Sequence, residues 1–199
     1  GKLMCKFSED SRQKLGNAVI YIANHTEQLS KTKLLKLLFL MEEYMVKRYH
    51  VPFMGLPFEI WQAGPVAKDI FIDLSDGPFL LKDFVKTEVQ KDATYIRAIK
   101  PFCDDEFSDC EMEMMDEIIR KYGKKTAKQL VAEVHKEGSL WFNAAKKHGL
   151  LTAFNKGLCN NSDYTIDFSE ELSDCAREDY KESLAIHQTA NILKAQGYV

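Results

Sequence analysis

The five histidines, His25, His50, His135, His148 and His187, stand singly along the chain. None has a second histidine or a cysteine at the spacing a metal site uses. His135 and His148 fall at expected helix C-termini, where an imidazolium suits the negative end of the helix dipole. The five cysteines, Cys5, Cys103, Cys110, Cys159 and Cys175, include no C-x-x-C pair. An odd count without such a pair argues against a disulfide framework and for reduced thiols in a cytoplasm. The sequence contains no glycine-rich phosphate loop, H-E-x-x-H, G-x-S-x-G or EF-hand pattern. A thiol or histidine hydrolase would need a cleft that brings one of these side chains to an acid. The expectation is no catalytic residue, no metal and no cofactor.

Two charged clusters remain. Asp104, Asp105, Glu106, Asp109, Glu111 and Glu113 gather where a helix should begin, and acids there complement its positive end better than they argue for a cation site. Arg120 and Lys121 suit the end of the same helix. Lys124, Lys125 and Lys128 are not needed for that purpose. A solvated face is the first reading of these lysines and a phosphate-binding patch the second. Trp61 shares a strand face with Glu59, opposite Phe58 and Ile60. Exposed, it would anchor an interface, because tryptophan buries a large area at low entropic cost; covered by the following helix, it would be core. Trp141, Tyr44 and Tyr49 read as core. The side chains expected to meet a partner are Trp61, Glu59, Gln62, Lys68, Lys124 and Lys125.

The elements that position them can be read from pattern. The chain has 199 residues, 45% apolar and 29% charged, with a net charge of −3. That suits one sizeable core and excludes a disordered chain. Uncharged apolar runs such as Leu37 to Met41 are far too short to span a membrane. The opening GKLMCKFSED is charged and lacks a signal-peptide core, so a cytoplasmic location is expected. Residues 1–100 carry 15 basic and 12 acidic groups, residues 101–199 carry 12 and 18. Neither half has the concentrated basic face of a dedicated nucleic-acid binder.

A first helix is expected from about Asp10 to Glu27. Ser30 caps a second, whose polar positions Lys33, Lys36, Glu43 and Lys47 form one narrow stripe on a rod where nearly everything else is apolar. Such a rod belongs at the centre of the core. Residues 58–63 read as a strand that Gly64-Pro65 ends, with Pro65 opening a helix. Residues 85–90 and 95–99 read as a hairpin turning at Lys91-Asp92, and the 58–63 strand could join it as a third strand. Ser108-x-x-Glu111 and Thr126-x-x-Gln129 are capping boxes for further helices, and Ser139 opens another. On the first of these, Met112, Met115, Ile118, Ile119 and Tyr122 form the buried face. Residues 150–168 read as loop, and a last helix is expected from about Glu170 to Lys194. The fold class is mainly α (α+β), a compact helical domain with a small antiparallel sheet of two or three strands.

Two motifs carry a family resemblance. One is Lys33-Leu34-Leu35-Lys36-Leu37-Leu38-Phe39-Leu40; the other is Trp61-Gln62-Ala63-Gly64-Pro65-Val66. Their order and spacing resemble the Panacea domain of SocA-like antitoxins and phage-associated proteins, where a K-L-x-K-L helix precedes a G-P-V and a short helix. Met115 to Gly123 and Val134 to Trp141 continue the likeness, which covers roughly residues 10–150. It departs at Met41-Glu42-Glu43, where the family often has aspartate or alanine. The resemblance implies a Panacea-like domain over residues 1–150, with 151–199 a helical extension packed on it. It also implies an antitoxin that neutralises a cognate protein toxin by direct contact, with a protease as second partner if the chain acts as an adaptor. The competing reading, a winged-helix-like nucleic-acid regulator, rests on Lys31, Lys33, Lys36, Lys47 and Arg48 lying in one segment.

Overall fold

Ser30 fixes the start of the longest buried element. Its hydroxyl accepts from the Lys33 amide at 3.1 Å and opens helix α2, Lys31–Tyr49. Twelve of its residues are buried, from Lys33 through Val46. The computed structural model describes residues 7–197; Cys5 and the rest of the charged opening 1–6 lie outside them. Around α2 stand α1 (Glu9–Asn24), α3 (Lys68–Ser75), α4 (Asp109–Tyr122), α5 (Ala127–Val134), α6 (Leu140–Lys147), α7 (Leu150–Asn155) and α8 (Asp174–Ala195). Two hairpins complete the described fold: β1 (Glu59–Trp61) with β2 (Gly64–Val66), and β3 (Val85–Gln90) with β4 (Ala93–Ala98). The fold is mainly α with a small β component.

Local capping explains most of the boundaries. Both expected capping boxes form, at Ser108 with Glu111 and at Thr126 with Gln129. Each lends two otherwise unpaired amides a partner. Ser8, Ser139 and Ser173 cap α1, α6 and α8 through the hydroxyl alone, each accepting one amide. On α4, Met114, Met115, Ile118 and Tyr122 are buried, whereas Met112 and Ile119 pack only partly against the core.

Several expectations change. α1 stops at Asn24, because Thr26 turns its hydroxyl back onto the Ile22 carbonyl at 2.7 Å. α8 starts at Asp174, where Ser173 supplies the cap, rather than at Glu170. Pro65 does not open a helix; it lies in β2 opposite Ile60, and α3 begins at Lys68. Residues 58–63 do not form a third strand on β3–β4. The free side of β1 is taken instead by residues 160–166, with Ile60 N donating to Tyr164 O and Ile166 N to Phe58 O, each at 2.9 Å. The stretch expected to be loop also holds α7 and sends Phe154, Ile166 and Phe168 into the core. Tyr44 is half-buried, and Tyr49 is 37% exposed rather than core.

Gly16 of α1 lies face to face with the Phe84 ring, so a Cβ there would come within 2.4 Å of Phe84 Cγ. Alanine improves helix propensity by about 1 kcal/mol, while overpacking against a fully buried ring costs about 1–3 kcal/mol. Gly16→Ala is therefore expected to lower the urea midpoint. A midpoint equal to or above the parent's would contradict this packing.

Candidate functional site

Three polar side chains of α2 point into protein. Lys36 is 1% exposed and donates from Nζ to the Pro65 carbonyl at 2.9 Å. Burial lowers its pKa to about 7. Lys33 donates to the Gly123 carbonyl at 2.6 Å, and burial lowers its pKa too, with Glu27 opposing. Glu42 accepts from the amides of Phe53, Met54 and Gly55 at 2.6, 2.9 and 3.1 Å. Burial pushes its pKa up, while those amides and Lys14 pull it down. Each side chain therefore holds a neighbouring segment against α2: the β1–β2 hairpin, the α4–α5 turn and the 53–55 loop. The two motifs singled out in the sequence meet in the first of these links.

Gly64 belongs to the same link. Its φ is +108°, and a Cβ would stand 2.8 Å from Lys36 Cε and 3.3 Å from Val134 Cγ2. Both backbone and space require glycine here. His135 caps α5, but its surroundings disfavour the imidazolium expected from its place at a helix end. Burial first, then Lys36, lowers its pKa, against a main-chain hydrogen bond at Gln62. Its ring lies 4.0 Å from that of Trp141, and its Nε2 is buried without a hydrogen-bond partner. His148 caps α6 and stacks on Tyr164. His187 meets the Met54 carbonyl at 3.0 Å, and His25 the Tyr21 carbonyl at 2.7 Å. Among the described residues, no group of three or more His, Cys, Asp or Glu gathers to hold a metal ion.

The six expected contact residues fall in two places. Trp61 is half-buried, edge-on to Phe71 of α3 at 4.9 Å, and its Nε1 donates to Glu59 at 3.0 Å. Its carbonyl accepts from Trp141 Nε1 at 2.9 Å, and Trp141 is core. Gln62 is exposed on the hairpin turn, and Lys68 is exposed one helical turn before Phe71. These four form one patch. Lys124 and Lys125 lie at the opposite end of α5, on the wall of a polar cleft with Lys33, Ser30 and Tyr95. The sequence marked Lys124 and Lys125 as cations their helix ends do not need, but no local pattern linked them to Lys33, Ser30 and Tyr95. Of the other α2 cations, Lys31 donates to Ser75 at 2.7 Å and sits 4.1 Å over the Phe71 ring. Lys47 pairs with Glu43 and Glu171, and Arg48 stacks over Tyr44 and Tyr49.

The family model described as "Antitoxin SocA-like, Panacea domain" matches residues 34–142, more than half of the chain. The chain belongs to this family. The Panacea match begins inside α2 and ends in α6, just past Trp141. It contains the Lys36–Pro65 link, the hairpin patch and the α4–α5 turn. No curated protein and no solved structure matches the chain. Among the described residues, no helix is long and apolar enough to cross a membrane.

The lysine at the centre of this arrangement predicts a pH dependence. Lys36 titrates near 7 when folded and near the ordinary 10.5 when unfolded. Between those values the unfolded chain holds the extra proton, so this group makes stability rise with pH across that window. Melting temperatures of the parent protein are expected to increase from pH 7 towards pH 10, and Lys36→Met should flatten the increase. Equal slopes for the two proteins would show that Lys36 is not the buried amine described.

Proposed function

We propose that this protein is an antitoxin that neutralises a cognate protein toxin by direct contact, either by covering the toxin or by delivering it to a protease as a folded adaptor. The family match over residues 34–142 carries the reading. The patch of Trp61, Glu59, Gln62 and Lys68 is the principal contact, and Lys124 and Lys125 form a second.

Physical arguments support the first patch. Its main chain is held from beneath by Lys36 and from the side by Trp141. A surface already fixed loses little conformational entropy on docking. Trp61 is oriented through its bond to Glu59 and its edge contact with Phe71, yet keeps part of its ring uncovered. A pre-oriented tryptophan ringed by polar side chains is the composition of an interface hot spot.

The test is co-expression with the product of the adjoining reading frame. Rescued growth and a co-purifying complex are expected. Trp61→Ala should then weaken the complex by about 30-fold, the ~2 kcal/mol of a hot spot. Lys68→Glu, at an exposed position that leaves the core untouched, should weaken it without lowering the melting temperature. No rescue and no complex would overturn the antitoxin reading. A complex indifferent to both substitutions would overturn the choice of patch.

A further inference from the structure

The α4–α5 turn faces the α1–α2 turn across a cleft of about 860 Å³. Its walls are tied together through the main chain: Ile96 N donates to Leu29 O at 2.8 Å, and Ser30 bridges to Tyr95 of β4. Lys33 is 7% exposed and forms part of the cleft lining. An ammonium has three N–H donors, and the Gly123 carbonyl takes one of them. Glu27 acts on this charge through space across the lining. Lys124 and Lys125 add two more cations to the wall. The lining thus sets three lysines against one carboxylate. The N-cap residues of α2 and α5, Ser30 and Thr126, both line the same space. The positive ends of two helices therefore converge where a buried ammonium already stands in excess of negative charge.

We propose that this cleft binds the phosphoryl group of a small phosphorylated ligand. A phosphate dianion carries the charge that three lysines and one carboxylate leave unbalanced. Its oxygens accept from several directions, which suits donors arriving from Lys33, from the two wall lysines and from the helix ends. The volume lies within the range of small-molecule sites, about 300–1,000 Å³. A nucleic-acid backbone would want an extended basic track instead, and Lys31, Lys36, Lys47 and Arg48 are engaged elsewhere. The inference goes beyond toxin contact: the principal patch, at Trp61, lies at the other end of α5, and only Lys124 and Lys125 are shared with the second contact.

The test titrates the full chain, at fixed ionic strength, with pyrophosphate, ATP, a single-stranded oligonucleotide and a poly-glutamate peptide, followed by calorimetry and amide NMR. Pyrophosphate or ATP should bind saturably, with shifts concentrated at Ser30 and at Gly123 to Thr126. The double substitution Lys124→Glu, Lys125→Glu should weaken binding at least about tenfold. Both positions lie outside the core, so its melting temperature should stay close to the parent's. Absence of saturation up to about 10 mM of either phosphate compound would overturn the proposal. So would binding undiminished in the double variant, or tighter binding of the oligonucleotide or poly-glutamate than of ATP.

Discussion

A helix covered by protein on nearly every side must find an internal partner for each polar group it carries. On α2 that demand falls hardest on Lys36, whose amine reaches one carbonyl, that of Pro65. Much of the surrounding architecture follows. Meeting that carbonyl lays β2 along α2, and the approach is close enough to exclude a Cβ at Gly64. With β2 in place, Val134 packs on its glycine, and Trp141 reaches the Trp61 carbonyl. The far side of β1 is then available to residues 160–166, so the C-terminal part of the chain is stitched to the same hairpin.

Lys33 and Glu42 extend this logic along the helix. Nine residues separate them, which is about 14 Å of helix axis. Over that length α2 satisfies main-chain groups of three segments, a short hairpin, a helix–helix turn and a loop. Such segments can be buried only if their polar groups find partners. Hydrophobic contact alone would hold them near α2 without setting their orientation. Buried polar contacts contribute little net stability, because desolvation offsets most of what the bond returns. What they fix here is the placement of the Trp61 hairpin and the Lys124–Lys125 turn on one scaffold.

The local features were legible in the sequence and the non-local ones were not. Ser30, Ser108 with Glu111, Thr126 with Gln129, and Ser139 each act within four residues, so their caps could be read directly. The burial of α2 followed from the scarcity of its polar positions. That Lys33 and Lys36 share a side was visible, but what covers that side comes from residues 65 and 123. Pro65 was misread because a missing N–H suits the first turn of a helix and an edge of a strand equally well. Pairing opposite Ile60 in the tight hairpin, with the Lys36 bond to its carbonyl, decided between them. His135 was placed correctly at a helix end, yet its charge depends on burial and on Lys36, which no local pattern encodes. Lys124 and Lys125 stood out as surplus cations, but the cleft they line could not be read, since it joins residues 24–33, Tyr95 and 123–127.

The residue type at position 36 follows from what the site asks of it. Methionine would fill the volume but leave the Pro65 carbonyl buried without its donor, a loss of about 1–3 kcal/mol. Arginine could donate, yet its guanidinium does not shed its proton and would carry a full charge into the core. Its planar fork would also crowd Gly64, whose Cα already lies against the lysine stem. Lysine is long enough to span the gap, narrow enough to pass the glycine, and able to lose its proton when buried. Its pKa near 7 reflects that third property. The same three requirements do not apply at Lys33, where the ammonium opens onto a polar cleft and can remain charged. Two lysines one turn apart thus meet different environments, one dry and one wet, on a single helix.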